Sequence, residues 1–128
     1  MRRILTLLIL FGAIGLEAAH LVGGELSYEC LGNNRYEIRL VIYRDCASNG
    51  APFDDPAIIT VFNANNSIFD NLQVPLHSSS LLPINAPNSC TSLPSFVCTQ
   101  EGIYLDTISL PASGGPYTFS HQRCCRNS

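Results

Sequence analysis

The chain has 128 residues, six of them cysteine, and sets seven Lys or Arg against ten Asp or Glu for a formal net charge of −3. That length fills one hydrophobic core and excludes two independently folded domains. The acidic balance argues against a nucleic-acid partner, which calls for a basic face.

The amino terminus reads as a secretory signal over residues 1–19: Arg2 and Arg3 give a basic start, Ile4 to Leu16 are uncharged and mostly apolar, and Ala18 and Ala19 suit a cleavage site. The mature chain is then expected to start at His20 and to be secreted or held at the cell surface. A hydrocarbon core of about 30 Å needs roughly twenty helical residues. The leader's apolar run is shorter than that, and no transmembrane segment is expected once the signal is removed.

No stretch of the mature region sustains a helical period, whereas short β-branched or aromatic runs bounded by Gly, Pro and Asn recur along it. The expected fold class is all-β: an antiparallel β-sandwich, immunoglobulin-like or related, stapled by disulfides. The first two strands are expected at Gly24 to Leu31 and Arg35 to Arg44, joined as a hairpin. Register must keep apolar side chains on one face. A two-residue loop at Asn33-Asn34 sets Glu29 against Ile38 and Leu26 against Val41, mixing polar and apolar partners. A three-residue loop, Gly32-Asn33-Asn34, pairs Cys30 with Tyr36, Tyr28 with Ile38 and Leu26 with Leu40, leaving Glu25, Ser27 and Glu29 on the other face. The second register is the expected one, and Gly and Asn tolerate the positive φ that such a loop and its bulge require.

A second hairpin is expected from Ala57 to Asn63 and Ser67 to Pro75, with Asn65-Asn66 at its tip and a register the pattern does not decide. Asn65-Asn66-Ser67 has the form of an N-glycosylation acceptor and serves equally as a turn. The stretch from His77 to Thr99, rich in Pro, Ser and Asn, is expected to be a long loop. Strands at Gly102 to Leu110 and Tyr117 to Cys124 complete the domain.

Export carries Cys30, Cys46, Cys90, Cys98, Cys124 and Cys125 into an oxidising compartment, where they are disulfide candidates. No C-x-x-C pair is present, and His20, His77 and His121 stand far apart, so the spacing does not suit zinc. In the hairpin register Cys30 lies at the turn end and Cys46 roughly 33 Å away at strand rise. Bridged Cα atoms lie within about 7 Å. The two must therefore take different partners, and the expected pattern joins Cys30 to Cys90 or Cys98 and Cys46 to Cys124 or Cys125. Adjacent Cys124 and Cys125 point to opposite faces of a strand, which suits two separate bridges.

Chemistry has no obvious home in this sequence. Leu21-Val22-Gly23-Gly24 resembles the amino terminus of an activated trypsin-like protease, but the chain has about half the length and no GDSGG-type segment. There is no nucleophile elbow, no H-E-x-x-H and no Gly-rich phosphate loop. No catalytic or cofactor-binding residue is expected. Three constellations carry alternatives. His20, once amino-terminal, could chelate copper together with His121, as in copper-dependent polysaccharide oxygenases. Asp45, Asp54 and Asp55 could converge on Ca²⁺, although Asp55-Pro56 is also good turn chemistry. Arg44-Asp45 and Gln122-Arg123 sit at strand ends, where a structural ion pair between Asp45 and Arg123 would hold neighbouring strands.

Four strings together carry a resemblance: HLVGGELSYECLGNNRYEI from His20 to Ile38, VIYRDC from Val41 to Cys46, EGIY from Glu101 to Tyr104, and QRCCRN from Gln122 to Asn127. They resemble the amino-terminal region of large secreted Bacteroidetes surface proteins. Such proteins continue through PKD-like β-sandwich repeats to a gliding-motility-associated carboxy-terminal sorting domain that directs type IX secretion. The resemblance implies adhesion, cell-surface structure or gliding, and it supplies no catalytic residues. In that family much more sequence follows the Cys-Cys-Arg-Asn segment, so the sandwich is expected to lack its last strands here. The expected function is a non-catalytic extracellular module that contacts cell-surface proteins or carbohydrate. The alternatives are a stand-alone secreted enzyme of the copper type and a small secreted binding or inhibitor protein presenting the loop from His77 to Thr99.

Overall fold

A computed structural model describes residues 21–47, 51–84, 90 and 96–123. The described residues form seven strands: β1 (Leu21–Gly32), β2 (Arg35–Asp45), β3 (Ala57–Phe62), β4 (Ile68–Val74), β5 (Leu76–Leu81), β6 (Thr99–Ser109) and β7 (Thr118–His121). A single 3₁₀ turn, Ala112–Gly114, links the last two. All pairings are antiparallel, in one sheet ordered β1-β2-β6-β5 and a second ordered β4-β3-β7. The fold is the expected all-β antiparallel sandwich. Among the described residues no helix is long and apolar enough to cross a membrane.

The first hairpin takes the register that apolar pairing demands: Leu26 faces Leu40, Tyr28 faces Ile38 and Cys30 faces Tyr36. Its loop combines both candidate solutions. Gly32 pairs with Arg35 across Asn33-Asn34, as in a two-residue turn, and a register shift between Cys30 and Gly32 then moves the ladder one step. Gly32, Asn33 and Asn34 have φ of 85°, 52° and 61°, the left-handed region that Gly and Asn enter most readily. The bulge is what returns Leu26 and Tyr28 to the apolar face.

Between the sheets, Ile38, Leu40 and Ile42 of β2 and Tyr104 and Ile108 of β6 pack against Ala57, Ile59 and Val61 of β3 and Val74 of β4. Alternation on β3 is regular, its inward residues buried and Ile58 exposed between them. Tyr104, the largest fully buried side chain, keeps its hydroxyl satisfied by donating to the Asp54 carbonyl at 2.8 Å. The loop before β3 closes one end of the sandwich. There Phe53 lies against Gly102, and the Arg44 guanidinium stacks 5.1 Å above the Phe53 ring.

Two expectations need correction. The segment from His77 to Thr99 is not all loop, because residues up to Leu81 belong to β5, an edge strand bonded to β6. Its Ser78-Ser79-Ser80 side chains face solvent, so main-chain bonds hold it and no apolar alternation marks it. The disulfide is also different: Cys46 is bridged to Cys98, with Cα atoms 5.0 Å apart. β2 pairs with β6 in a register ending at Asp45 opposite Thr99, so Cys46 and Cys98 occupy the next rung, where the Cys46 N–H also donates to the Cys98 carbonyl at 3.0 Å. This bridge excludes both Cys30–Cys98 and a link from Cys46 to Cys124 or Cys125. Cys30 and Cys46 are not joined to each other, as strand geometry requires, but Cys30 takes no disulfide partner among the described residues: its thiol is exposed and unbridged, so the expected link from Cys30 to Cys90 is not formed either. Cys124 and Cys125 lie outside the described residues.

Candidate binding groove

The unequal sheets define the site. Four strands face three, and both β1 and β7 are edge strands, so the inner face of β1 is only partly covered. On that face Leu26 is 36% exposed and Tyr28 69%, while Leu40 and Ile38, their partners on β2, are 3% and 1% exposed. The apolar stripe laid down by hairpin register thus runs out from the core into an open groove between β1 and β7.

Two hollows lie in line along it. One, of about 360 Å³, is lined by Leu21, Gly24, Leu26, Ile42, His121 and Arg123. The other, of about 340 Å³, is lined by Tyr28, Asn34, Tyr36, Leu110, Pro116 and Tyr117. Phe119 of β7 contributes to both. Tyr28 and Tyr36 meet edge to face with ring centres 6.2 Å apart, and the Tyr117 hydroxyl is anchored on the Pro111 carbonyl at 2.8 Å. The second hollow carries no charged side chain. Gly24 belongs to the floor of the first: a Cβ there would meet the Val41 carbonyl oxygen at 2.9 Å.

Arg123 stands at one end. Its Nε lies 2.9 Å from Asp54 Oδ2 and its Nη2 donates to the Pro52 carbonyl at 3.0 Å, tying the end of β7 to the loop before β3. Asp45, the acid considered for Arg123, uses Oδ1 to accept the Ala47 N–H at 2.8 Å. Asp55 accepts the Leu76 N–H at 3.0 Å. The three aspartates therefore serve three local tasks, and among the described residues no three His, Cys, Asp or Glu side chains come together as a metal site.

His121 is the strand-borne histidine considered for copper. Its Nδ1 lies 2.9 Å from the Ile58 carbonyl and donates to it, and Nε2 is buried with no hydrogen-bond partner among the described residues. It lines the same hollow as Leu21. His20 lies outside the described residues.

The aromatic members of the groove escaped sequence reading. Tyr28 and Tyr36 were placed on an apolar face, but only the count of strands in the opposite sheet shows that face to be open. Tyr117 and Phe119 read simply as strand residues. Comparison with protein-family models, curated proteins and solved structures finds no match.

Proposed function

We propose that this chain is a non-catalytic, exported β-sandwich module of a bacterial cell-surface or adhesin-like protein, and that it contacts protein or carbohydrate through the β1–β7 groove. The groove carries this reading: among the described residues, a disulfide-closed sandwich leaves an apolar, aromatic inner face uncovered along one side. Exposed apolar surface continuous with a core is costly in water unless it is used for contact. A bridge between strand ends also suits an oxidising compartment. The supporting experiment uses residues 20–128, labelled and incubated with intact bacterial envelopes and with immobilised polysaccharides. Binding is expected to fall about tenfold or more for Leu26→Asp and Tyr28→Asp, typical of central contact residues, with thermal melting nearly unchanged. Binding that is indifferent to both substitutions removes the reading.

The copper-oxygenase alternative has one observation in its favour, the placing of His121 on the hollow that Leu21 lines. Its mark is tight copper binding by the mature chain that His121→Ala abolishes. Copper binding indifferent to that substitution removes it.

A further inference from the structure

We infer that the β1–β7 groove seats one added β-strand from a partner protein, apolar at alternate positions and neutral to basic, which hydrogen-bonds along the free edge of β7. This deepens the proposed contact role and rests on it.

Three features of the groove match a strand better than a compact ligand. The first is the backbone: β7 pairs with β3 on one side, and its other edge has no pairing among the described residues. Unpaired main-chain donors and acceptors beside an apolar face are a template for strand addition. The second is spacing. Gly24, Leu26 and Tyr28 alternate along β1 on the same face as their partners Ile42, Leu40 and Ile38, a period of two that the inward side chains of an added strand share. From Gly24 to Tyr28 the groove runs roughly 14 Å, the span of a five-residue strand. The third is the strand inventory: one more strand beside β7 makes the sheets four against four and covers Leu26 and Tyr28.

Charge selects the occupant. The chain carries a formal charge of −3; at the groove, Glu25 meets Arg39 at 3.4 Å and Arg123 is already engaged by Asp54. A second copy brings the same net negative charge, which opposes close pairing. A neutral or basic segment meets no such repulsion.

The test uses residues 20–128 and a set of fluorescent decapeptides with Val, Ile, Leu or Tyr at alternate positions and Thr and Lys between them. At least one is expected to bind, to protect the amides of Phe119, Ser120 and His121 from exchange, and to weaken about tenfold or more when alternate backbone nitrogens on its bonding edge are methylated. Methylation leaves the side chains in place, so it isolates the main-chain pairing. Leu26→Asp is expected to abolish binding while the melting curve stays in place. Failure of every decapeptide overturns the inference, as does equal binding after N-methylation. In either case envelope binding that Leu26→Asp abolishes leaves the contact role standing. Self-association of the chain that Leu26→Asp disrupts assigns the groove to a second copy and also overturns it.

Discussion

Removing the Cys46–Cys98 bridge as Cys46→Ala/Cys98→Ala leaves the native ladder almost untouched and acts on the unfolded chain. The two residues are separated by 52 positions and close a loop containing β3, β4 and β5. Loop-closure entropy for a ring of that size corresponds to about 4 kcal/mol at 25 °C, in a model where the cross-link restricts the denatured ensemble. In the folded state the neighbouring rungs persist, Asp45 with Thr99 and Arg44 with Gln100, the latter also joined by a side-chain bond of 2.8 Å. The variant is therefore expected to keep its far-ultraviolet spectrum and to lose about 4 kcal/mol in urea unfolding at neutral pH. With an m-value of about 1–2 kcal/mol/M for a domain of this size, the midpoint falls by roughly 2–4 M. A loss below about 1 kcal/mol would refute the reasoning, because it would mean that the 52-residue loop is already restricted in the unfolded chain.

Burial, reinforced by the nearby Asp54 carboxylate, pushes the Tyr104 phenol up to about 12. The unfolded chain releases this proton near pH 10 and the folded chain near 12, so stability is fully present below pH 10 and declines between the two, by roughly 3 kcal/mol at completion. Urea unfolding across that interval checks the slope, and Tyr104→Phe is expected to lessen it and to cost about 1–2 kcal/mol at neutral pH by leaving the Asp54 carbonyl without its donor. Gly102→Ala drives a methyl to within 2.9–3.0 Å of the Phe53 ring, which must shift and carry the stacked Arg44 with it. A loss of about 1–3 kcal/mol, seen as a fall of roughly 4–20 °C in melting temperature, is expected.

The parts of the fold that were legible in the sequence are those where one face is buried. The first hairpin could be set in register because Leu26, Tyr28, Ile38 and Leu40 alternate with charged residues, and a one-residue slip would turn all of them outward. β5 lacks that signal: Ser78, Ser79 and Ser80 hang from β6 by main-chain bonds, which leave no trace in side-chain pattern. The disulfide was misassigned for a related reason. Strand pairing within the hairpin was readable, but the pairing of β2 with β6 joins residues more than fifty positions apart, and Cys46 and Cys98 become neighbours only through it. The groove is a third case. Its residues could be placed on a face from sequence, yet exposure of that face is a property of the other sheet. Arg123 was singled out for an ion pair at a strand end, but that Asp54 would meet it depends on the path of the loop before β3.

Leu21 and Arg123 line one hollow, so the first residue of β1 and the chain just beyond β7 leave the sandwich side by side. That placement sets how the domain responds to load. A pull applied through those two points bears on β1 at its outer end, where the ladder to β2 opens one rung at a time, a compliant geometry in which each bond fails alone. As β1 and then β2 peel away, about 85 Å of chain can pay out between Leu21 and Cys46 at the rise of an extended strand. The bridge to Cys98 then withholds β3, β4 and β5, which lie between the two cysteines, from that extension. Under load such a domain yields at its rim and holds across its crosslink.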